Sequence, residues 1–201
     1  DNWRVRQSSV WALDKIGPDA SKQAVLHLIL ALQQDDNQDV RRCAVRALGD
    51  IGPDATKQAL PALIQALQDD DEDIRQSAVR VLGKIGPDAT KQALPALIQG
   101  LLDRHWSVRS SGAEALGNIG PDAKQAVPHL ILALKDDDWR VRKSAAEALG
   151  NIGPDAKRAL PNLILALKDD DWWVRKSGAE ALGNIRPDTK PGSYKQLRAH
   201  E

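Results

Sequence analysis

Methionine and phenylalanine are missing from this chain of 201 residues, which holds only one tyrosine and one cysteine, Cys43. A single cysteine cannot form a disulfide within the chain, which is compatible with a reducing compartment. No stretch approaches the roughly 18 apolar residues of a membrane-spanning helix, and no signal peptide is recognisable. We therefore expect a cytoplasmic protein without a membrane span. Because the chain lacks methionine and begins inside a repeat, we also expect a fragment of a longer protein.

Neither sign of charge is in excess, since lysine plus arginine and aspartate plus glutamate both number 28. This balance argues against nucleic acid as the main partner, because proteins that bind nucleic acid usually carry a basic surface. The six tryptophans contrast with the absence of phenylalanine. The core must therefore be aliphatic, and the tryptophans need a separate explanation.

One short sequence, Ile-Gly-Pro-Asp-Ala, recurs along the chain, with Ile-Arg-Pro-Asp-Thr as its degraded last copy. The copies are 33 to 35 residues apart and begin at Ile16, Ile51, Ile85, Ile119, Ile152 and Ile185. Periods of this length are typical of solenoids, whose repeats bury their apolar faces against their neighbours. The sequence predicts an all-α solenoid of about six helix pairs, forming one domain over residues 1–189.

Each repeat contains two amphipathic segments, which we call the A helix and the B helix. In one B helix, Val141, Ala145, Leu149 and Ile152 recur on one side at helical spacing. Aspartates before the B helices are expected to be N-caps, and the Gly-Pro after each isoleucine is expected to end the helix. The A helices carry a proline that we place in the first helical turn. The corresponding residues are Pro61, Pro95, Pro128 and Pro161.

The two ends of the chain depart from this pattern. Residues 1–16 supply a B helix without an A helix, so the first unit is incomplete. Residues 190–201 abandon the repeat and form either a capping helix or a disordered tail. Helices left uncovered at the ends could stack chain on chain, so end-to-end self-association is a further expectation.

Two charged residues recur from unit to unit. An aspartate lies five residues before the first apolar residue of the B helix, and an arginine lies directly after that apolar residue. The aspartates are Asp35, Asp69, Asp103, Asp136 and Asp169, and the arginines are Arg6, Arg41, Arg75, Arg109, Arg142 and Arg175. With this pattern the chain resembles the HEAT-like repeats named after phycobilisome lyase subunits. The resemblance implies a right-handed solenoid with the B helices on its concave face. It also implies a structural ladder between units, formed in the last units by Asp136, Arg142, Asp169 and Arg175.

Five positions of the B helix vary between units while the packing positions barely change. Counted from the first apolar residue of the B helix, they lie two residues and one residue before it, and two, six and ten residues after it. Artificial proteins built on such repeats vary these positions to create binding surfaces. Four of these positions are four residues apart and form one stripe of the helix. In the last units they hold Trp106, Trp139, Trp172, Trp173, Arg140, Lys143, Lys176, Glu147 and Glu180.

We predict that this stripe binds a partner protein or an extended segment. Trp106, Trp139, Trp172 and Trp173 would anchor it as an aromatic ladder, because aromatic and arginine side chains are enriched at binding hot spots. Arg140, Lys143 and Lys176 would set a charge preference. In the alternative interpretation, each tryptophan covers the start of its own helix, and each lysine pairs with the glutamate four residues later.

Two other functions stay open. The family name alone suggests an accessory subunit of a bilin-attaching lyase. The early units suggest weak binding of nucleic acid through Arg42, Arg46, Arg80 and Lys84, although this stripe carries a net charge of only about two. His27, His105, His129 and His200 occupy unrelated repeat positions. The sequence therefore predicts no metal site, no cofactor and no catalytic residues, so we do not expect an enzyme.

Overall fold

The computed structural model describes residues 3, 4, 6–8, 21–85 and 87–185. Within these residues the regular elements are all helices, and they form five successive pairs. The first pair is α1 (Ser21–Gln34) with α2 (Gln38–Ile51), the second is α3 (Pro53–Gln58) and α4 (Leu60–Ala66) with α5 (Glu72–Leu82), and the third is α6 (Pro87–Gly100) with α7 (Trp106–Ile119). In the last two pairs a 3-10 helix comes first. The fourth pair is the 3-10 helix Gly120–Ala126 and α8 (Val127–Ala133) with α9 (Trp139–Ile152), and the fifth is the 3-10 helix Gly153–Ala159 and α10 (Leu160–Ala166) with α11 (Trp172–Asn184). The last helix of each pair is the B helix. The pairs are units 2 to 6; most of unit 1 and the tail of residues 190–201 lie outside the described residues.

The core runs through the stack between the A and B helices. Val141, Ala145, Leu149 and Ile152 of α9 are all buried, as their helical spacing predicts. Leu94 and Leu97 of the A helix α6, and Leu101 directly after it, are buried in the same core. Each B helix also packs against the B helices of the neighbouring units. The structure is therefore an α-solenoid, in which each unit buries its apolar faces against the next.

Neighbouring B helices of the last units approach closely because a glycine faces an alanine. A Cβ added at Gly117 would lie 2.9 Å from the Cα of Ala148, and one added at Gly150 would lie 2.9 Å from the Cα of Ala181. Between α2 and α5, the residue that faces the glycine is Val81, at the repeat position of those alanines. Its methyl group would lie 2.7 Å from a Cβ added at Gly49. The valine side chain therefore stands between the backbones of α2 and α5.

The start of the A segment depends on the length of the unit, because unit 3 has one more residue here than units 5 and 6. Unit 3, with Thr56, forms the α-helix α3, whereas units 5 and 6 form 3-10 helices. The Thr56 hydroxyl is buried and donates to the carbonyl of Gly52 at 3.0 Å. In unit 3 the short helix α3 accommodates the extra residue, whereas in unit 4, which has Thr90 at the same place, the A helix α6 is continuous.

The proline of the A helix occupies two different environments. Pro61, Pro128 and Pro161 lie in the first turn of α4, α8 and α10, which confirms the prediction. For Pro95 the prediction is wrong, since α6 continues from Pro87 to Gly100 with this proline inside it. Pro95 lies on the exposed side of α6. A bend of α6 away from the ring of Pro95 therefore does not open the core between the A and B helices.

The predicted aspartate N-caps form at α9 and α11, whereas the N-cap of α2 is Asn37 and that of α7 is His105, which makes no side-chain cap hydrogen bond. Asp138 and Asp171 are the N-caps of α9 and α11; Asp138 accepts from the N–H of Arg140, and Asp171 from that of Trp173, both at 2.8 Å. At the other end, Gly120 and Gly153 have φ of 69° and 72°, a left-handed conformation that favours glycine. Both ends of α9 are therefore fixed, which places Trp139 and Arg140 in its first turn.

Candidate partner-binding face

The loops between A and B helices are joined by ion pairs that repeat along the stack. Arg142 donates from Nε and Nη2 to the carboxylate of Asp169 at 2.8 and 2.9 Å. Its Nη1 donates to the backbone carbonyls of Asp136 and Asp137 in its own loop. Each such arginine therefore ties its own loop to the loop of the next unit. The other pairs with this geometry between side chains are Arg6 with Asp35, Arg41 with Asp69, Arg75 with Asp103, and Arg109 with Asp136.

Arg175 occupies the same position in the last described unit. Its Nη1 donates to the carbonyls of Asp169 and Asp170 at 2.7 and 2.9 Å. Asp169 and Asp136 also organise their own loops, since each accepts from the backbone N–H two residues later at 2.9 Å. The loops are thereby held in one conformation, which fixes the starts of the B helices.

The pKa values of the ladder aspartates are lowered. For Asp169, the hydrogen bond from Arg142 is the main cause of the low pKa, and partial burial opposes it. For Asp136, burial is the largest influence and raises the pKa. The hydrogen bonds from Arg109 and from the N–H of Asp138, with the charges of Arg109 and Arg142, outweigh it, so the pKa of Asp136 is lowered as well. Both carboxylates are therefore ionised at neutral pH.

The tryptophans of units 4 to 6 lie on the surface of the B helices. Trp106, Trp172 and Trp173 are 36%, 51% and 38% exposed, and Trp139 is half-buried. The more variable B-helix positions lie beside them: Lys143 and Glu147 are half-buried, while Lys176 and Glu180 are exposed. We call the surface formed by these residues and Arg140 the B face. The structure thus places all the predicted partner-binding residues on the neighbouring helices α7, α9 and α11.

The rings of Trp106 and Trp139 do not contact each other, and Arg140 lies by both of them. Its guanidinium carbon is 4.3 Å from the ring centroid of Trp106 and 5.0 Å from that of Trp139. Aromatic rings in contact have centroids within about 4.5 to 7 Å, whereas packed helix axes are about 8 to 10 Å apart. The spacing of the units therefore leaves room for a cation, and the continuous aromatic ladder predicted from the sequence does not form.

Trp172 and Trp173 form a second aromatic group at the start of α11. Their rings stack with centroids 3.7 Å apart. The Nζ atoms of Lys176 and Lys143 lie 5.6 and 6.0 Å from the ring centroid of Trp173. Lys143 comes from the preceding unit, so this group also bridges two units. Cation–π contacts at partly exposed sites are worth about 0.5 to 1 kcal/mol each.

The cations of the B face have carboxylate partners close to them. Arg140 pairs with its N-cap Asp138 at 3.1 Å, Lys143 with Glu147 at 3.2 Å and Lys176 with Glu180 at 3.7 Å. Glu147 also accepts a hydrogen bond from Ser177 of the next unit at 3.1 Å. The charges therefore largely neutralise one another. The tryptophan rings supply the exposed apolar surface of the B face.

Sequence reasoning missed two of these arrangements. It predicted the charge pairs within α9 and α11, but not the position of Arg140 between two tryptophans of different units. It also missed the hydrogen bond from Ser177 to Glu147. The only sequence signal for either contact is the 33-residue offset between Trp106 and Trp139. This offset places equivalent positions of consecutive units side by side.

These features define an α-solenoid built from helix pairs with an ion-pair ladder. The model of the family of HEAT repeats matches residues 25–117, 94–183 and 127–200. The matches extend over more than half of the chain, which therefore belongs to the HEAT repeat family. None of the curated proteins matches this chain.

Several solved structures are similar over most of their length. An engineered protein is 28% identical with a TM-score of 0.69, over 92% of this chain and 94% of the other. The complex of CpcE and CpcF of phycocyanin lyase from Nostoc sp. PCC7120 is 26% identical with a TM-score of 0.62, over 79% of this chain and 98% of that chain. A designed armadillo repeat protein in complex with the peptide (KR)4 is 20% identical with a TM-score of 0.67, over 90% and 91%. At that identity the likeness concerns the fold alone.

Two negative observations apply to the described part of the chain. None of its helices is both long and apolar enough to cross a membrane. Its histidine, cysteine, aspartate and glutamate side chains form no group of three or more that could hold a metal ion.

Proposed function

We propose that this protein is an interaction module whose B face binds an extended segment of a partner protein. The observation that carries the proposal is the partial exposure of Trp106, Trp172 and Trp173 on α7 and α11, the helices on either side of α9. Exposed apolar surface of this kind marks interaction sites, and tryptophan and arginine are enriched among hot-spot residues. The module acts by binding and not by catalysis.

The contacts within the B face favour binding over a purely local role. Arg140 and Trp173 already have neighbours that hold them in place, so little side-chain freedom is lost when a partner binds. Because Arg140, Lys143 and Lys176 are paired with carboxylates, the selected partner segment should present apolar or aromatic side chains to the B face. Charge makes only a small contribution there.

We expect the variant Trp139→Ala, Trp172→Ala to lose binding. Segments that bind the chain are first selected from a displayed library of random peptides, and dissociation constants are then measured by calorimetry. Each hot-spot tryptophan contributes about 2 kcal/mol or more, so the loss of one should weaken binding about thirtyfold and the loss of both should weaken it by about several hundredfold. The single variant Trp172→Ala, whose side chain is half exposed, should show part of the same loss.

The matched control is Leu132→Ala, Leu165→Ala, which removes two exposed apolar side chains from the A helices α8 and α10. Its affinity should stay within about twofold of the original chain. If the tryptophan variant binds as tightly as this control while its circular dichroism is unchanged, the tryptophans only cover the starts of their own helices. The proposal would then be wrong.

A second candidate function is an accessory subunit of a bilin-lyase assembly. It is supported by the 26% identity to the CpcE and CpcF complex over 79% of this chain. We expect that mixing the chain with a bilin and an apo-phycobiliprotein changes the absorbance spectrum of the bilin if this candidate is correct. An unchanged spectrum with each bilin tested would remove it.

A further inference from the structure

A polar cavity of about 730 Å³ lies between the B helices α2 and α5, in units 2 and 3. Its lining includes Arg42, Arg46, Arg80 and Lys84, with Asp50 and Asp73. We propose that this groove binds an acidic segment of a partner protein through Arg46, Arg80 and Lys84. The site is separate from the tryptophans of the B face, and its occupation does not depend on the function proposed for them.

The cations in the groove differ in whether they already have partners. Arg42 already forms ion pairs, since its Nη2 lies 3.1 Å from Asp71 and 3.2 Å from Asp73. Arg46, Arg80 and Lys84 are exposed and form no ion pair with any described carboxylate. The contrast with the last units is direct, because Lys143 and Lys176 both have a glutamate one helical turn away. Three cations, Arg46 on α2, Arg80 on α5 and Lys84 in the turn after α5, are thus available to a ligand.

The shape of the groove follows from one side chain. Val81 stands where later units have Ala148 and Ala181, and it contacts α2 at Gly49. Where alanine occupies this position, the backbones of neighbouring B helices approach to the limit that glycine allows. The larger valine holds α2 and α5 apart at this end. The groove beside it remains open, with Gly49, Gly52 and Thr56 in its lining.

The charge around the groove selects a short anionic ligand. Asp39 and Glu72 lie in the first turns of α2 and α5, at the other end of the same face, where Asp73 is already paired with Arg42. They would repel a phosphate backbone that continued along α2 and α5 toward the helix starts, because such a backbone carries a charge at every nucleotide. Carboxylates on a peptide can instead be confined to the basic part. Neighbouring helices are roughly 10 Å apart, which is the length of about three residues of an extended peptide.

The test uses a fluorescein-labelled nonapeptide with glutamate at every third residue among glycine and serine, and the same peptide with glutamine. Fluorescence anisotropy at physiological salt measures the dissociation constants with the full chain. The glutamate peptide should bind at least about tenfold more tightly than the glutamine peptide, because hydrogen bonds to charged groups are the stronger ones. The variant Arg46→Gln, Arg80→Gln should weaken binding of the glutamate peptide about tenfold or more.

The matched control is Lys157→Gln, Arg158→Gln, which removes two exposed positive charges from unit 6. It has the same net charge as the groove variant and should bind the glutamate peptide within about twofold of the original chain. Equal loss in both variants would mean that only the total charge matters, and equal binding of the two peptides would mean that no carboxylate is recognised. Either result overturns the proposal. A twelve-residue oligothymidylate that binds more tightly than the glutamate peptide, and is lost in the groove variant, would assign the groove to phosphate instead.

Discussion

Replacing Leu149 with alanine is expected to lower the free energy of unfolding by about 2 to 5 kcal/mol. Leu149 is fully buried, and α9 packs against B helices on both sides, α7 and α11. The truncation removes buried apolar surface and leaves a cavity that neighbouring units cannot close without moving their own backbones. Denaturation followed by far-ultraviolet circular dichroism measures the change.

Two matched leucines make this prediction specific to burial between units. Leu182, the equivalent residue of α11, is only half-buried, so its replacement by alanine should cause a smaller loss than that of Leu149. Leu132 in α8 is 63% exposed, and its replacement should change stability by less than about 0.5 kcal/mol. Losses of similar size at Leu149 and Leu132 would contradict the packing described for α9.

Replacing Asp136 with alanine is expected to destabilise the chain by about 2 to 3 kcal/mol. Removing one partner of a buried ion pair costs about 3 to 5 kcal/mol. The cost expected here is lower because both side chains of this pair retain some exposure. The Asp136 and Arg109 side chains are 13% and 19% exposed. The variant leaves Arg109 without its carboxylate and the N–H of Asp138 without its acceptor. The control Glu180→Ala breaks an exposed pair and should cost only a few tenths of a kcal/mol.

The effect of Asp136 should depend on pH in a direction fixed by its lowered pKa. A carboxylate whose pKa is lower in the folded state stabilises the fold above its unfolded pKa, which is about 4, and the contribution is lost as pH falls through the folded value. The difference between the original chain and Asp136→Ala should therefore be complete at pH 7 and shrink below about pH 4. Urea denaturation at both ends of this range measures it. A difference that stays constant into acid would contradict an ionic role for Asp136.

The sequence predicts most of the fold because each repeat states the same pattern again. The buried face of α9, its aspartate cap and the glycine after it all follow from spacings that recur in most units. The continuous helix through Pro95 and the change between α-helix and 3-10 helix in the A segments could not be predicted from one repeat. They depend on whether an extra residue is present in the A segment and on how that segment packs against the surrounding helices.

The candidate site could be predicted in its residues but not in its contacts. Repeat positions placed Trp106, Trp139 and Arg140 on one surface, because equivalent positions of neighbouring units lie side by side. The choice of Arg140 as the group between the two rings depends on side-chain rotamers and on the spacing of the helices. In the same way, the groove between α2 and α5 depends on Val81, which the sequence presents only as one more apolar residue.

The most direct test of the B face as a binding surface is a nuclear magnetic resonance titration of the ¹⁵N-labelled chain with a selected peptide. The indole N–H signals of Trp106, Trp139, Trp172 and Trp173 are assigned from single Trp→Phe variants. We predict that these four signals shift together, and that their titration curves give the dissociation constant measured by calorimetry. Four unchanged indole signals, with shifts confined to the backbone amides of α8 and α10, would show that the partner binds the opposite side of the stack and would contradict the proposed function.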